Sequence, residues 1–297
     1  MAAPYPQIVL FGDSLFRHAA DTLDGFSLQA ALQWHAQRRF DVVNRGLSGY
    51  NTSQALKVLP SLFPPSDTDN SSSSVFTPKL AYLFVLFGAN DAVLPPGEGS
   101  PLQNSQHVPL AAYEANLKAI LTHRNIQVHQ PTIVLVTPPP LDGFRRSQFE
   151  QENPGAGRRT ARVTAQYAEA ARRVAQAVPG VVLADLWSTL MDYALDKTSE
   201  QNGGGSGGGG GQGQGQGTHG HLLGDSADPE SQAGHLAALL WDGLHFTSEG
   251  YRVFWERVLK PLVVLPADAA DSTEGFITPG YETAPWTEGQ KEINRKE

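Results

Sequence analysis

The 297-residue sequence predicts an α/β fold, a three-layer α/β/α sandwich around a mostly parallel five-stranded sheet. Two observations predict it. Short runs that are apolar on both faces recur along the chain, which is the mark of strands covered on both sides, and between them lie stretches with the periodicity of amphipathic helices. Strands that alternate with helices imply right-handed crossovers, and therefore parallel pairing.

Ile8–Phe11 (IVLF) is the first strand, and a helix follows over Ser27–Arg39. Asp41–Val43 reads as the second strand and leads to a helix over Thr52–Leu62. The third strand, Tyr82–Phe87 (YLFVLF), precedes a helix over Pro109–His123, in which Leu110, Tyr113, Leu117 and Ile120 share one face. Thr132–Val136 (TIVLV) is the fourth strand, followed by a helix over Arg158–Ala177. Val181–Leu183 is the fifth, with helices over Leu186–Ala194 and Ser248–Leu259 after it. All five strands are expected to be fully buried.

Residues 1–265 are expected to form one domain, and three stretches interrupt its texture. Residues 65–74 (PSDTDNSSSS) suit a surface loop. Residues 203–220 hold 12 of the 30 glycines, so they offer no core and are expected to be a flexible insertion. Residues 266–297 form a polar tail.

Composition narrows the function classes. Lys and Arg number 22 against 30 Asp and Glu, a net charge of −8, which leaves no cationic surplus for nucleic acid or an anionic membrane. No cysteine is present, so disulfides, thiolate metal sites and cysteine nucleophiles are excluded. The longest apolar run, Leu80–Phe87, is eight residues, and about 20 are needed to span a bilayer. No Lys or Arg precedes Arg17 and no cleavage site follows an apolar core, so no signal peptide is expected and the expected location is cytoplasmic.

In an open parallel sheet the ligand site lies beyond the carboxyl ends of the strands, and four motifs fall there. Gly12-Asp13-Ser14 follows the first strand. The motif reads either as an ordinary turn or as a serine nucleophile at the crevice. Gly46 and Gly49 follow the second strand, as a flexible turn or as exposed backbone N–H groups. Asn90, in Phe87-Gly88-Ala89-Asn90-Asp91, either caps the next segment or donates its amide into the crevice. Asp242-Gly243-Leu244-His245 places a carboxylate where it can hold an imidazole as a base. The four together make up a nucleophile, a base, an orienting carboxylate and an anion hole.

These blocks resemble the GDSL/SGNH hydrolase superfamily. The runs NRGLSGYNT, FGAND, HVPLAAYEANLK, IVLVTPPPL and DGLHFTSEGY are similar to the isoamyl acetate-hydrolysing esterase family, over about Ile8 to Leu262. The resemblance implies a flavodoxin-like sheet and a serine esterase with Ser14, Asp242 and His245 as the catalytic residues. It implies an oxyanion hole made of the Ser14 and Gly49 N–H groups and the Asn90 side chain. It further implies a small-molecule ester substrate, with short-chain acetates favoured, and neither metal nor cofactor. A lysophospholipase, a carbohydrate O-deacetylase and a non-catalytic binding module on the same fold remain the alternatives. The Gly204-Gly205-Ser206-Gly207-Gly208 run matches a nucleophile elbow only in form, since no strand precedes it. His219, His221 and His235 read as solvated loop histidines.

Overall fold

A computed structural model describes residues 5–22, 25–64, 78–95, 106–201 and 236–265. The stretches 65–74, 203–220 and 266–297 lie outside the described residues, as do His219, His221 and His235.

Five parallel strands form one sheet: β1 (Gln7–Gly12), β2 (Asp41–Gly46), β3 (Leu80–Leu86), β4 (Thr132–Val136) and β5 (Val181–Ala184). Their order is β2-β1-β3-β4-β5. The chain steps from β1 to one side for β2 and then crosses to the other for β3, which opens the crevice of a doubly wound sheet at the carboxyl end of β1.

Side-chain alternation along the central strands builds the three layers. Ile8, Leu10, Phe84, Leu86, Val134 and Val136 point to one face. There they pack under helices α2 (Leu28–His35), α8 (Leu186–Gln201), α9 (Leu236–Leu239) and α10 (Ser248–Phe254), the last running on through a π-turn over Trp255–Leu259. Val9, Phe11, Leu83, Val85, Ile133 and Leu135 point to the other face. They meet α3 (Thr52–Leu62), α4 (Leu110–Leu121) and α7 (Ala161–Ala177). On α7, Ala168, Ala170 and Ala171 are fully buried, and such small side chains let the helix pack close to its neighbours.

Burial of the outer strands corrects the expectation. β2 has no buried residue and β5 only Ala184, because each is a sheet edge with a single partner. Helix limits also move. Thr160 caps α7 by accepting the Val163 N–H, so Arg158 and Arg159 lie ahead of the helix rather than in it. Among the described residues, four α-helices were not expected: α1 (Ser14–Arg17), α5 (Arg124–Gln127), α6 (Gly143–Glu152) and α9. No helix among the described residues is long and apolar enough to cross a membrane.

Candidate active site

Three neighbouring strands deliver three loops to one rim. The registers Gly12↔Gly46 and Gly12↔Leu86 align the ends of β1, β2 and β3, and the Leu47 N–H donates to Gly12 O at 2.8 Å. Beyond β1 the chain turns at once into α1. Asp13 caps that helix by accepting the Leu15 N–H at 2.9 Å, which places Ser14 in its first turn with little surface exposed.

After β2, Gly49 adopts φ +81°, a backbone shape that side-chain-bearing residues avoid, and the chain then enters α3 through a capping box on Asn51. After β3, the Asn90 side chain donates to Tyr50 O at 2.9 Å, so the second and third loops touch. Asp91 fastens them further, its Oδ1 accepting from both the N–H and the hydroxyl of Thr52.

The fourth motif comes from the far end of the chain. Between α9 and α10 the loop folds back on itself through an antiparallel bridge, Leu240 with Phe246, and the Trp241 N–H donates to His245 O at 2.9 Å. Gly243 sits at φ +82°, and a Cβ there would stand 2.6 Å from Asp142 O and from the Arg146 N atom. Only glycine lets this loop lie against α6.

The result is a continuous hydrogen-bonded chain. The Ser14 hydroxyl lies 3.0 Å from His245 Nε2, and His245 Nδ1 lies 2.8 Å from Asp242 Oδ2. With the carboxylate ionised, Nδ1 carries the proton and donates, so Nε2 is left to accept from the serine. Burial alone would raise the Asp242 carboxyl. The imidazole and the N–H groups of His245 and Leu244 outweigh burial and hold it at about 2. The imidazole is flanked by rings, with Trp241 stacked at 5.8 Å and His18 edge-on at 5.4 Å.

Of the residues singled out in the sequence, Ser14, His245 and Asp242 stand in one hydrogen-bonded row, and Asn90 bonds Tyr50 O in the turn that carries Gly49. Others around them carried no warning. Arg146, on α6, reaches Asp242, Glu150 and the carbonyl of Ala156. Arg159 reaches Asn90. Neither falls in a motif or at a helical spacing tied to the four blocks, so residue spacing held no signal for them. Asp13 and Asp91 are fully buried, and desolvation pushes their carboxyls up to about 7 and about 6 against the hydrogen bonds that lower them.

A parallel sheet with a serine, an imidazole and a carboxylate in hydrogen-bonded sequence at its carboxyl edge is an architecture of the hydrolytic enzymes. The chain belongs to the family described as GDSL-like lipase/acylhydrolase, whose model matches residues 8–258, and it is a carboxylic ester hydrolase. A GDSL esterase/lipase of Arabidopsis thaliana is 32% identical over 259 residues, which span 86% of this chain and 85% of that protein. An isoamyl acetate-hydrolyzing esterase 1 homolog of Bos taurus is 34% identical over 206 residues, covering 67% of this chain and 74% of the relative. Among solved structures, the acetyl xylan esterase AlAXEase superposes with a TM-score of 0.52 at 15% identity, over 87% of this chain and 100% of its own, and shares the fold.

Proposed function

We propose that the protein is a serine esterase for small carboxylic esters, short-chain acetates first among them, acting through Ser14, His245 and Asp242 and a covalent acyl-enzyme. The observation that carries this reading is the unbroken path from the Ser14 hydroxyl through His245 to Asp242. The unit that performs the chemistry is residues 1–265.

In this mechanism His245 Nε2 takes the Ser14 proton as Oγ adds to the ester carbonyl carbon. Negative charge gathers on the former carbonyl oxygen, which the Ser14 and Gly49 N–H groups and the Asn90 amide receive. Collapse of the intermediate expels the alcohol, which leaves with the proton held by His245. Water then adds to the acyl-enzyme by the same route and releases the acid. Asp242 keeps Nδ1 protonated throughout.

One observation favours a small substrate. A relative that covers two thirds of the chain is an isoamyl acetate-hydrolyzing esterase homolog.

Labelling with an organophosphonate tests the nucleophile: it is expected to modify Ser14 and stop hydrolysis of p-nitrophenyl acetate, and an active Ser14→Ala enzyme refutes the assignment. An ester series from acetate to octanoate, run beside an acetylated sugar and a lysolipid, tests the substrate. Falling kcat/KM with chain length supports the acetate reading; a maximum on the sugar or the lysolipid replaces it with a deacetylase or a lysophospholipase.

A further inference from the structure

Arg159 stands behind the rim in the extended stretch before α7, almost fully buried. A guanidinium has five N–H donors in a rigid plane, and here each of them meets an acceptor. Nε donates to Ala89 O at 2.7 Å. Nη1 donates to Ala156 O and Gly157 O at 2.9 and 3.1 Å. Nη2 reaches Asn90 Oδ1 at 3.0 Å and Gln106 Oε1 at 3.5 Å. No donor remains for a substrate anion.

Of the two amides it meets, one is the proposed oxyanion donor Asn90 and the other holds the turn that carries Gly49. Arginine only donates, so the atom of Asn90 that faces it must be the oxygen, and the NH₂ end is turned toward Tyr50 O. Gln106 is polarised the same way. Its oxygen faces Arg159, and its NH₂ donates to Gly49 O at 2.7 Å, pinning the turn that carries the Gly49 N–H. Burial lowers the guanidinium to about 10, so it remains charged at neutral pH, and charged donors make the stronger bonds.

We propose that Arg159 is a positioning residue for the oxyanion hole: one planar cation sets the direction of the Asn90 amide directly and holds the Gly49 turn through Gln106. This rests on Asn90 and Gly49 serving as oxyanion donors. Arg159 touches no substrate; it acts through the two amides.

The test is a double-mutant cycle on kcat, KM and the rate of Ser14 acylation, using Arg159→Lys and Arg159→Met in the native and Asn90→Ala backgrounds. Removing an oxyanion donor costs about 10²–10³-fold, so loosening one is expected to lower kcat by roughly 10–100-fold. KM is expected to stay within about threefold, as for an interaction made only in the transition state. With Asn90 already gone, the further loss from Arg159→Lys is expected to shrink to about threefold. Equal losses in both backgrounds, or a raised KM at unchanged kcat, overturn the proposal. If Arg159→Met does not fold, Arg159→Lys, which keeps the charge but not the planar fork, carries the cycle. Ser14→Ala is assayed alongside: activity there refutes the catalytic reading itself, whereas an inactive Ser14→Ala with an additive cycle refutes only the role of Arg159.

Discussion

Arg146 Nη1 lies 3.4 Å from Asp242 Oδ2, the same oxygen that accepts the His245 Nδ1–H hydrogen bond at 2.8 Å. Both partners of this ion pair are buried, with side chains 2% and 1% exposed. The arginine also binds Glu150 at 2.8 Å, so one cation joins α6 to the loop that carries His245.

Removing one member of a buried ion pair leaves the other uncompensated, at a cost of about 3–5 kcal/mol. Arg146→Met is therefore expected to lose stability on that scale, read from its denaturant midpoint. A shift below about 1 kcal/mol, typical of exposed pairs, contradicts it.

Asn90→Ala removes one of the donors proposed for the developing oxyanion. We expect kcat to fall by about 10²–10³-fold with KM little changed. Steady-state kinetics on p-nitrophenyl acetate decide it, and an equal fall in affinity for a non-reactive substrate analogue argues for ordinary substrate binding instead.

Asp13 titrates near 7 in the folded protein and near 3.8 when unfolded, because burial disfavours its charge. A raised folded value means the native state holds the proton more tightly, so the carboxyl is tolerated below pH 4 and costs stability progressively as pH rises to about 7. Asn retains the cap on Leu15 N–H without the charge. Asp13→Asn is thus expected to gain in stability relative to the native protein between pH 4 and 8, by a few kcal/mol at order of magnitude. A difference that is constant across that range contradicts it.

Gly243→Ala places a methyl group 2.6 Å from Asp142 O at a φ of +82°. A loss of at least about 2 kcal/mol is expected, with a lower kcat because the loop that carries His245 must shift. Unchanged thermal unfolding and turnover show that α6 gives way instead.

Much of the sheet was legible because β1, β3 and β4 need apolar residues on both faces, as in IVLF and TIVLV. β2 was legible only in part: at an edge it requires backbone pairing alone, so Asn44, Arg45 and Gly46 continue the strand without an apolar signature. α6 carries mostly polar residues around Phe144 and Phe149, which leaves no stripe to detect. The Asp242–His245 pair was legible because the two are three residues apart and a turn suffices to join them. Arg146 and Arg159 were not, because their partners are brought near only by the tertiary fold.

Ser14 and His245 are separated by 231 positions, yet they share a hydrogen bond. Chains are made from the amino end at roughly 5–20 residues per second, so the serine leaves the ribosome long before its imidazole is synthesised. All five strands, the last ending at Ala184, are therefore synthesised before His245, and the Ser14–His245 hydrogen bond closes only after the loop ahead of α10 has been made.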